Sequence, residues 1–250
     1  MNVSNSEGSN PSAGSRNKKP SSASKERWNR EYSDKKAIPS SDRDRPSRAL
    51  LAAQSEIDLQ SVDTAIDIGC GNGRNAVFLA EHGIDVCALD FSENAVRRTK
   101  ERIEKSSFSG TVSIFVDDVT EGLPFVNDAV DLIVDSYLSC HFFQEPVLES
   151  YFAEIRRVLD PSGKFYWAGL GESDEYYQSI LQSHPAERTI VDPLNGIPKR
   201  LYDHRMLDVQ LPFGNTPELA TELIFEDMVA GDSYQRSIVS AVFENNAPRE

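Results

Sequence analysis

Cysteine is scarce. The 250-residue chain has three, Cys70, Cys87 and Cys140. None forms a C-x-x-C pair, which excludes the usual spacing of a structural zinc site and any disulfide framework. An odd number of thiols suits a reducing compartment. Cys87 reads as a small buried side chain, and Cys70 as a residue present for its size rather than for redox chemistry. Histidine is sparse too: His82, His141, His184 and His204 show no ligand spacing, so no metal is expected. Long apolar runs are missing. No stretch approaches the roughly 20 residues a membrane helix needs, and the polar N-terminus lacks the apolar segment of a signal peptide. These absences lead to the expectation of a soluble, cytoplasmic protein with no membrane partner.

Positive charge is also short. Lys and Arg number 26 against 40 Asp and Glu, for a formal net charge of −14. Residues 1–45 hold ten Lys and Arg against six Asp and Glu, so the rest of the chain is more acidic than the total suggests. Such a body is a poor match for nucleic acid, whose binding needs cations against phosphates. Residues 1–25 are Ser-, Asn-, Gly- and Lys-rich and nearly empty of large apolar side chains. They read as a disordered tail, solvated rather than docked on an acidic partner. From residue 26, Trp28, Tyr32, Ile38, Leu50 and Leu51 predict an N-terminal cap of helices or turns over 26–60, packed on a single domain that runs to residue 250.

Hydrophobic residues make up 39% of the chain, and from Thr64 they fall into short apolar runs. Those at 65–68, 86–89, 112–116, 132–134 and 164–168 predict buried parallel strands. Helix-period segments separate them at 74–82, 92–105 and 146–159, with Ser92 as an N-cap, Gly83 as a C-terminal stop, and Pro161 with Gly163 ending the last. Strand and helix in alternation predict a doubly wound, mostly parallel α/β sheet of Rossmann-like type. The rhythm breaks over 170–215, a variable insertion or lid. It resumes at 219–229 and 234–243, an antiparallel hairpin at the sheet edge.

The chemistry concentrates in Asp67-Ile68-Gly69-Cys70-Gly71-Asn72-Gly73-Arg74-Asn75, which follows a strand and opens a helix. Glycines there permit a tight turn and close backbone approach. Asp90, ending the next strand, is placed to accept hydrogen bonds from ribose hydroxyls. A dinucleotide loop wants G-x-G-x-x-G. Counting from Gly69 the sixth place is Arg74, and from Gly71 it is Ala76, a loose match. Asp67 discriminates further. A carboxylate disfavours a neighbouring pyrophosphate and favours a sulfonium cofactor with an α-amino group.

Residues 64–92, TAIDIGCGNGRNAVFLAEHGIDVCALDFS, resemble the first two motifs of the class I S-adenosylmethionine-dependent methyltransferases. The resemblance covers about 60–170. It implies S-adenosyl-L-methionine as cofactor, with Asp67 and the Gly69–Gly73 backbone on its methionine part, Asp90 on the ribose and Phe91 against the adenine. Asp117, Asp118 and Val119 match the acidic position after the third strand, with Asp117 slightly ahead of Asp118. Asp135 follows the fourth strand. Members that methylate nucleic acid or glutamine carry a D/N-P-P-Y motif there. This chain has Asp135-Ser136-Tyr137-Leu138, which is more similar to the small-molecule enzymes, including the tellurite-resistance-like group.

Methyl transfer from a sulfonium is an in-line displacement that needs alignment in a dry pocket, and a base only if the acceptor loses a proton. His141 and Tyr137 are the base candidates, with His141 preferred and a purely structural role as the alternative. Tyr32 and Trp28 either close over the cofactor or anchor the N-terminal segment. Arg74 and Asn75 start a helix and are in reach of the cofactor's carboxylate. Tyr176, Tyr177, Tyr202 and His204 are offered as acceptor-pocket residues. Two rival functions remain open: a non-catalytic cofactor-binding or scaffold protein, and a nicotinamide-dependent oxidoreductase. The latter is disfavoured by Asp67 and by the absence of a Tyr-x-x-x-Lys pair after the fourth strand.

Overall fold

The run around Ile66 has an apolar strand on each side, which is why it lies at the centre of the sheet. In the computed structural model, which describes residues 22–35, 42–183 and 188–246, β1 (Thr64–Ile68) pairs in parallel with β2 (Asp85–Asp90) and β4 (Val130–Ser136). β3 (Val112–Val116) flanks β2, and β5 (Leu159–Gly171) flanks β4, both in parallel. The spatial order is β3-β2-β1-β4-β5. Ile66, Leu132, Ile133 and Val134 are fully buried, as strands covered on both faces require.

Three helices supply that cover: α3 (Arg74–Glu81), α4 (Glu93–Ile103) and α5 (Glu145–Val158). Ser92 caps α4, its Oγ accepting from the Ala95 N–H at 3.2 Å. One face of the sheet packs Phe152, Ile155, Phe165 and Trp167 together. The other packs Leu50, Ala53, Leu79 and Tyr166. The doubly wound α/β arrangement is therefore as expected from the alternating runs.

The N-terminal cap is α1 (Ser22–Arg30), a wider π-helical turn over Glu31–Lys35, and α2 (Arg48–Ile57). Residues 1–21 of the expected tail, Ile38 and His184 lie outside the described residues; from Ser22 the chain is helical. No described helix is long and apolar enough to cross a membrane.

The arrhythmic stretch after Gly171 is ordered. It folds as α6 (Glu175–Ser183), β6 (Thr189–Val191), β7 (Pro198–Tyr202) and α7 (Leu207–Gln210). β6 and β7 form an antiparallel hairpin. The final hairpin is β8 (Leu219–Val229) and β9 (Asp232–Glu244), with β9 antiparallel to β5 and β8 at the edge. Leu170 pairs with Ile238 of β9 and Leu201 of β7, so these strands lie on opposite edges of β5. β4 pairs with β5 as far as Ala168. β7 therefore takes up the same edge just beyond, above the C-terminal end of β4. α5 runs directly into β5, Leu159 pairing with Val130 before a register shift, so the Pro161–Gly163 segment lies inside the strand rather than ahead of it.

Candidate functional site

The C-terminal ends of β1, β2 and β4 open into a cavity of about 1400 Å³, where ligands of open α/β sheets bind. The loop after β1 turns on Gly69 (φ 67°), Gly71 (φ 60°) and Gly73 (φ 75°). A Cβ on Gly73 would lie 2.5 Å from Thr99 Cγ2, so close packing on α4 as well as the left-handed conformation demands glycine. Gly69, Cys70, Gly71, Arg74 and Asn75 line the cavity; Gly73 does not.

Asp90 sits opposite the loop and also lines the cavity. Its carboxylate accepts from the Gly71 N–H at 3.0 Å and the Ser92 N–H at 2.8 Å. One side chain thus ties the loop to the start of α4 while keeping lone pairs for a ligand. Burial raises its pKa to about 6, against those two backbone donors. Phe91, Asp117, Asp118 and Val119 line the same end. Asp118 Oδ1 accepts from the Thr120 N–H and hydroxyl. Asp117 accepts from the Asp118 N–H through Oδ1 alone. Each of the two therefore keeps Oδ2 free of these bonds, and the geometry does not separate them.

Asp67 and Asp135 are not on the cavity wall. Asp67 is 1% exposed, one carboxylate oxygen has no hydrogen-bond partner, and burial raises its pKa to about 7 despite the Arg74 charge nearby. Asp135 is completely buried and accepts from Leu138 N–H at 2.9 Å and Tyr151 OH at 2.9 Å. It braces the turn that carries Ser139–His141. Arg74 is buried, faces the cavity, and makes one long hydrogen bond, 3.5 Å, to the Arg45 carbonyl. That guanidinium is available for an anionic group.

Beyond β4 stand Tyr137 and His141, both on the cavity wall. Tyr137 has φ 70°, a conformation costly for an aromatic residue and typical of functional sites. Its hydroxyl lies 3.4 Å from Ser47 Oγ. His141 Nδ1 is 2.8 Å from the Pro198 carbonyl. A carbonyl only accepts, so Nδ1 carries the proton and Nε2 keeps its lone pair. Burial lowers the pKa of this ring to about 4, so it is neutral at physiological pH. Trp28 packs edge-on against it at 5.0 Å and stacks on Tyr32 at 6.1 Å. The Tyr32 hydroxyl lies so near Gly71 that a Cβ there would come within 2.5 Å of it.

Of the four proposed acceptor residues, Tyr177 reaches the cavity. Tyr202 is buried against Trp167, at 4.6 Å between ring centroids. Tyr176 packs on Tyr177 and Tyr234, and His204 Nδ1 sits 3.2 Å from Glu222. Sequence reasoning missed Ser47, Lys199 and Arg236, which also line the cavity. The turn Asp192-Pro193-Leu194-Asn195-Gly196 was a readable signal for the β6–β7 hairpin that presents Lys199. No local signal marks Arg236.

A family model described as a methyltransferase domain matches residues 65–163. An uncharacterized methyltransferase of Synechocystis sp. is 32% identical over 100 residues, covering 40% of this chain and 43% of that protein. The chain spans half or less of the length of the curated relatives it matches. Among solved structures, a protein studied for the conversion of a disulfide bond into a thioacetal group during echinomycin biosynthesis superposes with a TM-score of 0.65 at 20% identity, covering 89% of this chain and 93% of that one. An N-methyltransferase from Bradyrhizobium japonicum, solved with S-adenosyl-L-homocysteine, gives 0.59 at 15% identity over 89% and 98%. These likenesses establish the Rossmann-like methyltransferase fold.

Proposed function

We propose that this chain, whose residues 65–163 match a methyltransferase-domain model, is a class I, S-adenosylmethionine-dependent enzyme that transfers a methyl group to a small-molecule acceptor held in the same cavity. The observation that carries this reading is the convergence of the glycine loop, Asp90 and Arg74 on one end of a cavity of about 1400 Å³. Ligand pockets commonly measure about 300–1,000 Å³, so there is room for a second small molecule beside a cofactor.

The residues present fit S-adenosylmethionine. Asp90 offers lone pairs to ribose hydroxyls, Asp117 a spare oxygen near the adenine position, and Arg74 a cation for the α-carboxylate. Asp67, with its unpartnered oxygen, sits behind the loop and biases it toward a cationic group. When bound, the cofactor supplies a methyl group already activated on a sulfonium. Trp28 and Tyr32 exclude water from above. With a ring pKa of about 4, His141 is a weak base. Its unprotonated Nε2, set by the Nδ1 bond to the Pro198 carbonyl, serves to accept a hydrogen bond from the acceptor rather than to remove its proton. The acidic body favours a small acceptor over a nucleic acid.

Calorimetric titration with S-adenosylmethionine and, separately, NADH tests the assignment. Micromolar binding of the former and none of the latter is expected. NADH binding alone would overturn the cofactor assignment, and binding of neither would remove the enzyme reading.

A further inference from the structure

The far end of the cavity, walled by α6, β7 and β9, has chemistry of its own. Arg236 on β9 is 7% exposed and lines the cavity. Its Nε donates to Asp174 Oδ2 at 2.8 Å. Nη1 and Nη2 bond to no acceptor among the described residues, and neither is sealed from the cavity. The guanidinium lies 5.5 Å from the Tyr176 and Tyr177 ring centroids, which fix its plane. Lys199 on β7 is 4% exposed, and its Nζ lies 2.5 Å from Asp192 Oδ2 and 2.8 Å from Tyr177 OH.

The carboxylates here have nothing left to offer. Asp192 Oδ2 is taken by Lys199 and Tyr177, and Oδ1 by the Leu194 N–H. Asp174 Oδ2 is taken by Arg236 and the Ser237 N–H, and its Oδ1 is closed off from the cavity. What remains for a ligand is donors, chiefly the outer edge of a planar guanidinium. That fork matches a carboxylate in a bidentate pair. The surrounding wall is apolar, with Leu170, Ile197, Pro198 and Ile238. The sheet order β2-β1-β4-β5-β9 places Arg236 four strands from Asp90, a lateral distance of about 19 Å at the usual strand spacing. The two residues serve opposite ends of one cavity.

Resting on the methyltransferase reading above, we infer that the acceptor is a small carboxylate with an apolar body, and that Arg236 is its anchor and specificity-determining residue. The carboxylate is the handle and not the methylated atom. The acceptor's nucleophile lies at its other end, toward His141 and the loop. Lys199 keeps Tyr177 and Asp192 in place beneath the anchor.

Ligand-observed NMR on the full chain saturated with S-adenosylhomocysteine tests this. The probes are butyrate, hexanoate, benzoate and phenylacetate, each against its primary amide. At least one carboxylate is expected to bind tenfold or more tightly than its amide. Arg236→Lys keeps the charge beside Asp174 but loses the fork, and is expected to lower that affinity about tenfold with S-adenosylhomocysteine binding unchanged. Because an altered pair can unfold the protein, the neutral double variant Arg236→Gln/Asp174→Asn is measured alongside, and a matching loss is expected. Cofactor binding with no carboxylate preferred over its amide overturns the anchor, as does a preference that survives both variants. Loss of S-adenosylhomocysteine binding in the unmodified protein would instead remove the methyltransferase reading.

Discussion

At the loop end of the cavity are three buried carboxylates, Asp67, Asp90 and Asp135, of which Asp67 has a buried cation, Arg74, near it. At the α6–β7 end each buried carboxylate has its own partner, Arg236 for Asp174 and Lys199 for Asp192. Burial raises the pKa of all three carboxylates at the first end and of Asp174 at the other despite Arg236, while Lys199 beside Asp192 holds that carboxyl below the usual range. An unbalanced buried charge is unfavourable until a ligand answers it. The loop end is thus suited to a cationic cofactor at a cost in stability, while the other end pairs each carboxylate with a cation and leaves the buried Asp174 Oδ1 and the outer edge of Arg236 without partners among the described residues.

If that contrast is right, breaking a pair at the far end should cost most. Asp192→Ala leaves the Lys199 ammonium buried without a counter-ion, and a loss of about 3–5 kcal/mol in unfolding free energy is expected, read by chemical denaturation. Replacing both partners with apolar residues, Lys199→Met with Asp192→Leu, should recover most of it. At the loop end, Asp90→Ala removes a ligand group and the tie to Gly71 together. A loss of about 100-fold in S-adenosylmethionine affinity, equivalent to about 2.7 kcal/mol, is expected by calorimetry. Its effect on stability should be smaller than that of Asp192→Ala, because it also relieves a buried charge.

The same contrast explains what was legible in the sequence. Asp67, the glycines and Asp90 lie within 24 residues, at positions dictated by strand and helix ends, so local pattern placed them. The strands read correctly because β1, β2 and β4 are largely buried on both faces and apolar residues dominate them, with Asp67 as the one interruption inside the β1 run. The far end is assembled from residues distant in the chain. Asp174 and Arg236 are 62 residues apart, and no local period links them. Tyr202 and Tyr177 look alike in sequence, yet Tyr202, on β7 opposite Gly171 of β5, packs on Trp167 in the core, while Tyr177, on α6, reaches the cavity wall. Asp135 was placed with the cofactor residues. The structure turns its carboxylate toward the Leu138–Ser139 backbone, which a motif alone does not reveal.

The loop end also carries a pH signature. Asp67 has a pKa of about 7 when folded and about 3.9 when unfolded. Between these values the folded state holds a proton that the unfolded state lacks. Stability contributed by this group is therefore full below about pH 4, falls as pH rises toward 7, and is level above. Between pH 5 and pH 7 the protein should lose about 2 kcal/mol relative to Asp67→Asn. Denaturation curves of both proteins at the two pH values measure the difference. Parallel pH dependence would mean that Asp67 is solvated or paired in solution.

The smallest expected effect probes how the cap is held on the loop end. Ser92 makes two bonds through one oxygen: it accepts from the Ala95 N–H as the α4 cap, and it donates to Asn29 Oδ1 of α1 at 2.7 Å. Asn94 adds a bond to the Asn29 carbonyl at 2.9 Å. α1 carries Trp28, and the π turn after it carries Tyr32, so Ser92 couples the cap to the side chains above Gly71. Ser92→Ala should cost about 1 kcal/mol of stability through the lost N-cap. If closure of the cap contributes to cofactor binding, affinity for S-adenosylmethionine should fall about fivefold as well, since the closed state is what binds. Asn29→Ala separates the two effects, because it leaves the α4 cap intact. It should reproduce the affinity loss with most of the stability retained. Unchanged affinity in both variants would make Trp28 and Tyr32 anchors of the N-terminal segment rather than a cover for the cofactor.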